Sequence, residues 1–215
     1  MPTQLNESAV VAALSPVRLG TYSNAKGFSA AAKTLDMYVW NALVSGAFFS
    51  SLHICEVVVR NAISDAIERK FGHQWPWDPG FERTLGKHWK MELQRARRGI
   101  PHGSTGKVIA ELKFAFWCNM LTASQDQHLW NAYLHTVFAH LPFTLSITGA
   151  RKILYEEMEK LRHFRNRIAH HEPIFTYPLA EHYSQIFSLI QFRCSDTAAW
   201  LKQWEIMSAA LASRP

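Results

Sequence analysis

Residues 29–71 read SAAAKTLDMYVWNALVSGAFFSSLHICEVVVRNAISDAIERKF and contain no proline. Within them Leu35, Tyr38, Val39, Ala42, Leu43, Phe49, Leu52, Val59 and Ile63 recur at the three- and four-residue spacing that stacks apolar side chains on one side of an α-helix. The pattern predicts one long helix or two in tandem, with Gly46 and the Ser50, Ser51 pair as bend points. Asn41, His53 and Glu56 interrupt the apolar run from Val39 to Val59, which therefore reads as a core helix rather than a membrane span.

Outward from this segment the punctuation stays helical. Residues 1–28 mix short apolar pieces with Ser, Pro, Gly and Asn, and read as a short helix plus loop. GHQWPWDPG at 72–80 is a break, because its prolines and glycines sit in a helix only at a cost. A basic helix is expected over 81–98, a loop over 97–106, helices over 107–123 and 128–138, and a longer one from Thr148 to about His171. Pro173 is expected to end that last one. Helices over 178–192 and from CSDT to about Ala212 follow, the latter capped by Ser195 or Asp196. Strand alternation, repeats and low-complexity tracts are missing, so the expected class is all-α, with residues 29–212 as a single domain.

The chain has 215 residues, a hydrophobic share of 48% and enough bulk, with eight Trp and thirteen Phe, to bury a sizeable core. Twenty-three Lys and Arg against seventeen Asp and Glu leave a formal charge of +6, which favours polyanionic partners. Cys55, Cys118 and Cys194 are odd in number and widely spread, which argues against a disulfide framework and against a cysteine-rich zinc site. MPTQLNESAV is not a basic region followed by an apolar core, so no secretory signal is read there. The expectation is a cytoplasmic protein that does not engage a membrane.

Two loops and helices invite chemistry. RRGIPHGSTG, followed by Lys107, is Gly-rich, but Val108 stands where a phosphate loop needs Ser or Thr and no strand feeds it; a surface loop capped by Ser104 or Thr105 fits better. LRHFRNRIAHHE at 161–172 is the stronger signal. At about 100° per residue, His163, Asn166 and His170 share one helix face, Arg167 and His171 the neighbouring one, and Arg165 stands about 140° from His170. Long arginine side chains and a histidine at the helix end are able to converge on one phosphate, especially where two helices meet across an interface. Unpaired carbonyls at that end favour imidazolium. The competing reading is a solvated basic face. His163 and His170 do not complete a zinc site, and no metal or cofactor is expected.

In LHICEVVVRNAISDAIE, Glu56, Arg60 and Asn61 interrupt an apolar stretch, and buried charges of this kind need partners. Glu56 and Arg60, one helical turn apart, read either as a structural ion pair or as groups that orient an Arg and His site.

These segments resemble the Abi-like (abortive infection) family, a branch of the higher-eukaryote and prokaryote nucleotide-binding (HEPN) superfamily. The resemblance rests on MYVWNALVSGAFFSSLHICEVVVRNAISDAIERKFG, GKVIAELKFAFW and LRHFRNRIAHHEPIF, and spans residues 30–177. It implies an up-and-down helical bundle of HEPN type with additional helices, paired as a homodimer so that two copies of the motif face one cleft. The family hallmark, an Arg followed by a polar residue and then a His, falls on Arg165, Asn166 and His170. The implied activity is a metal-independent endoribonuclease of toxin or phage-defence type, sometimes restrained by an antitoxin or antisense RNA. Other members of the superfamily only bind RNA or act as scaffold subunits.

The implied reaction is attack of an RNA 2′-OH on the adjacent phosphodiester, leaving a 2′,3′-cyclic phosphate and a 5′-OH. His170 would move the proton, Arg165 would offset charge on the transferring phosphate, and Asn166 would hold the phosphate or the histidine. Glu56, Arg60, Asn61, Arg167 and His171 are expected in support or in contact with RNA, and Trp75, Trp77 or Trp117 as base-stacking surfaces if exposed.

Overall fold

The computed structural model describes residues 6–215, and among them every regular element is helical. In chain order these are α1 (Glu7–Leu14), α2 (Pro16–Lys26), α3 (Ala31–Phe71), α4 (Pro79–Thr84), α5 (Lys87–Ala96) and α6 (Thr105–Glu111). They continue with α7 (Phe114–Met120), α8 (Asn131–Val137), α9 (Ile147–Ala169), α10 (Leu179–Arg193), α11 (Ser195–Gln203) and α12 (Met207–Ala212). The fold is an all-α helical bundle.

α3 is its axis. Trp40, Val44, Ala47, Phe48, Leu52, Cys55, Val59, Ile63 and Ile67 are all buried along one side. Helices α1, α2, α7, α8, α9, α10 and α12 pack around it. The 41 residues run without interruption through Gly46 and the serine pair, so neither expected bend breaks the helix. By length and composition α3 is apolar enough to cross a membrane, and 39% of its most apolar window is buried inside the protein. Its opposite side leaves Val39, Leu43 and Phe49 exposed.

α9 crosses this axis with Leu154, Met158, Leu161, Phe164 and Ile168 buried at helical spacing. The Ser146 side chain accepts the Gly149 N–H at its start. Near that start Arg151 grips Asp126 through two nitrogens, at 2.9 and 3.3 Å. Phe164 packs edge-on against Phe48, which fixes the rotation of α9 on α3.

Several expectations are corrected. The N-terminal segment holds two helices, α1 and α2, not a short helix and loop; residues 1–5 lie outside the described part. The basic helix expected over 81–98 is split into α4 and α5 at Leu85 and Gly86. The helix expected over 107–123 is split at Leu112 and Lys113, where neither Gly nor Pro marks the break; burial of Leu112 in extended geometry outweighs local propensity. The last helix is likewise two, and the Cys194 sulfur, rather than Ser195 or Asp196, accepts the capping N–H from Thr197.

Candidate functional site

The motif helix does not run on to Pro173. It stops at Ala169 through a Schellman closure: the His171 N–H reaches the Ile168 carbonyl at 3.0 Å and the Glu172 N–H reaches the Arg167 carbonyl at 2.9 Å. His171 takes the left-handed conformation this closure requires, φ 57°, at a position where glycine is usual. The following loop is pinned from several sides. Ile174 N–H donates to Asn41 Oδ1 on α3 at 2.8 Å, Arg18 on α2 donates to the His171 carbonyl, and Arg214 donates to the Phe175 carbonyl. The end of the RNxxxH segment is thus held by three elements distant in sequence.

Arg165, one turn back, points the other way, onto α3. Its Nε lies 3.8 Å from the Glu56 carboxylate, and both side chains are partly open, at 35% and 22%. The expected Glu56–Arg60 pair does not form, because Glu56 reaches across the helix interface to Arg165. Arg60 stays in the same place without an ion-pair partner among the described residues, and its buried Nε has no hydrogen-bond acceptor. His53, Glu56, Arg60 and Arg165, with Phe49 at the edge, line a small cavity of about 110 Å³. Two guanidinium groups there face one carboxylate, so the cavity carries excess positive charge even with His53 neutral. Paired planar donors of this kind suit a phosphate or carboxylate.

The other expected residues are distributed differently. His170 caps α9 and is exposed, outside this cavity. Asn166 is half-buried. Asn61 is exposed on α3 and lies outside the cavity. Arg167 is taken up locally: it pairs with Glu172 at 2.9 Å, donates to the Pro173 carbonyl at 3.0 Å and lies over the Tyr177 ring. His163 and Arg162 are drawn toward Glu159, whose carboxyl is held below its ordinary value of 4.5 chiefly by the hydrogen bond from Arg162. Trp75 and Trp117 are fully buried and offer no stacking face; Trp77 is half-buried against His102.

His53 was not among the expected site residues, although His53, Glu56 and Arg60 stand three and four positions apart on one helix face, a spacing readable in the sequence. A second, larger cavity of about 590 Å³ adjoins the first, sharing Phe49, and reaches Arg18, Tyr22, Tyr38, Asn41 and His171. Its α2 residues had no signal in the sequence.

Among the described residues no three His, Cys, Asp or Glu side chains gather to hold a metal ion. Comparison with protein-family models, with curated proteins and with solved structures finds no match to this chain.

Proposed function

We propose that this chain is a metal-independent endoribonuclease of the Abi-like, HEPN type, active as a homodimer in the cytoplasm. The observation that carries the reading is the small cavity in which Arg165 and Arg60 converge with a single carboxylate, leaving one buried guanidinium nitrogen without an acceptor. An RNA phosphodiester supplies that acceptor and neutralises the surplus charge.

Within one chain His170 sits about 140° around α9 from Arg165 and lines neither cavity. A composite site, in which His170 of one copy meets Arg165 of the other, removes that separation. The exposed Val39, Leu43 and Phe49 face of α3, beside the cavities, is apolar surface of the kind such pairing covers. In this site Arg165 and Arg60 hold the phosphate as charge gathers on its oxygens, and His170 takes the 2′-OH proton or returns one to the leaving 5′-oxygen. An antitoxin protein or RNA would act by covering this cleft.

The test is incubation of purified protein with mixed single-stranded and structured RNAs in EDTA, with end analysis. Products ending in 2′,3′-cyclic phosphate are expected from wild type and absent from Arg165→Ala and His170→Ala, with helical content unchanged. Cleavage retained by both variants overturns the reading. RNA retardation without cleavage by wild type favours a non-catalytic RNA-binding module.

A further inference from the structure

The larger cavity is not an apolar hollow. Two of its wall residues are almost wholly enclosed yet polar: Tyr22 is 1% exposed and Asn41 is 5% exposed. The Ile174 N–H occupies Asn41 Oδ1 and so fixes which way the amide is turned, leaving its NH₂ free. Neither that NH₂ nor the Tyr22 hydroxyl has a hydrogen-bond partner among the described residues. Enclosed polar groups are nearly always paired, so two unpaired ones on a single cavity point to a ligand that completes them. The Tyr22 hydroxyl keeps its proton to about pH 12 because burial disfavours the anion, and it is therefore a donor at neutral pH.

The remaining walls narrow the chemistry. Tyr38 and Phe49 bring aromatic rings, and Arg18 and His171 stand at the rim. The volume suits a small planar group with room to spare. Phe49 is common to this cavity and to the Arg60–Arg165 cavity, so a ligand with a flat hydrogen-bonding group next to a phosphate spans both.

We propose that this cavity binds one unpaired RNA base next to the phosphate held by Arg60 and Arg165, an inference that rests on the RNA reading of the neighbouring site. The Asn41 amide and the Tyr22 hydroxyl donate to acceptors on the base edge, and an aromatic ring covers its face. A base stacked in a duplex cannot enter, so the site selects single-stranded RNA.

Gly46 tests this cleanly. It lines the cavity within α3, and a side chain added there meets no atom within 4 Å at its Cβ, so Gly46→Leu fills the space without disturbing the helix. Ala42→Leu, on the same wall, is the second variant. The probes are a fluorescein-labelled 2′-O-methyl RNA decamer, the same decamer with abasic positions, and its duplex, read by anisotropy. The wild type is expected to bind the single strand at least about tenfold more tightly than the abasic strand or the duplex. Both variants are expected to lose that preference and to keep duplex affinity.

Equal affinity of wild type and variants for the single strand overturns the proposal, as does absence of any base preference in the wild type. A shift in sedimentation equilibrium mass with unchanged RNA affinity overturns it too, and gives the cavity to a second copy. Base-dependent binding that Gly46→Leu removes, in a protein that cleaves no RNA, upholds the cavity and overturns the nuclease reading. Cleavage that needs Arg165 but ignores Gly46→Leu does the reverse.

Discussion

Arg165 on α9 and Glu56 on α3 face each other with Nε 3.8 Å from Oε2, so the arginine of the RNxxxH segment is engaged by a carboxylate at the place a phosphate would occupy. A partly open pair at this distance contributes about 0–1 kcal/mol to stability. Glu56→Gln is therefore expected to leave the urea midpoint almost unchanged and to tighten RNA binding several-fold at low salt, because a neutral amide no longer competes for the guanidinium. Unchanged affinity with lost cleavage would instead make Glu56 a positioning group for Arg165.

If the site is composite, two dead variants restore each other. In a dimer of Arg165→Ala with His170→Ala, one site has lost both groups and the other keeps both. Mixing the two proteins under conditions that allow exchange is expected to recover about a quarter of wild-type cleavage, since about half of the dimers are mixed and each holds one of two sites. No recovery, with exchange verified by differently tagged chains, places Arg165 and His170 in the same protomer's site.

The strained turn at the motif's end has a measurable cost. His171 holds φ 57°, a conformation glycine adopts freely and other residues adopt at about 1 kcal/mol. His171→Gly is expected to raise stability by about that amount in urea denaturation. Destabilisation would mean that the imidazole makes interactions worth more than the strain.

The Glu159–Arg162 pair sets an acid limit. Glu159 has its pKa lowered mainly by the Arg162 hydrogen bond, so it adds stability above its ordinary value of 4.5, and that stability is lost as pH falls through the folded value. Arg162→Gln is expected to be less stable than wild type at pH 7, the difference shrinking as pH drops below 4.5. A difference that persists undiminished at low pH would assign the Arg162 effect to packing.

The sequence by itself determined the helical class, the position of α3 as a long apolar helix, and the clustering of Arg165, Asn166 and His170 near a helix end. These follow from periodicity and spacing, which are local properties of the chain. Tertiary structure alone decided which charges meet. Glu56 ignored its neighbour one turn away and chose Arg165, because the helix crossing at Phe48 and Phe164 brought that guanidinium within reach. Trp75 and Trp117 went into the core, Leu112 broke a helix without Gly or Pro, and a left-handed His171 ended α9 before Pro173. Tyr22 and Arg18, far from the motif in sequence, came to share a cavity wall with His171. Such outcomes depend on distances between elements distant along the chain, and those are set by how the buried faces fit against one another.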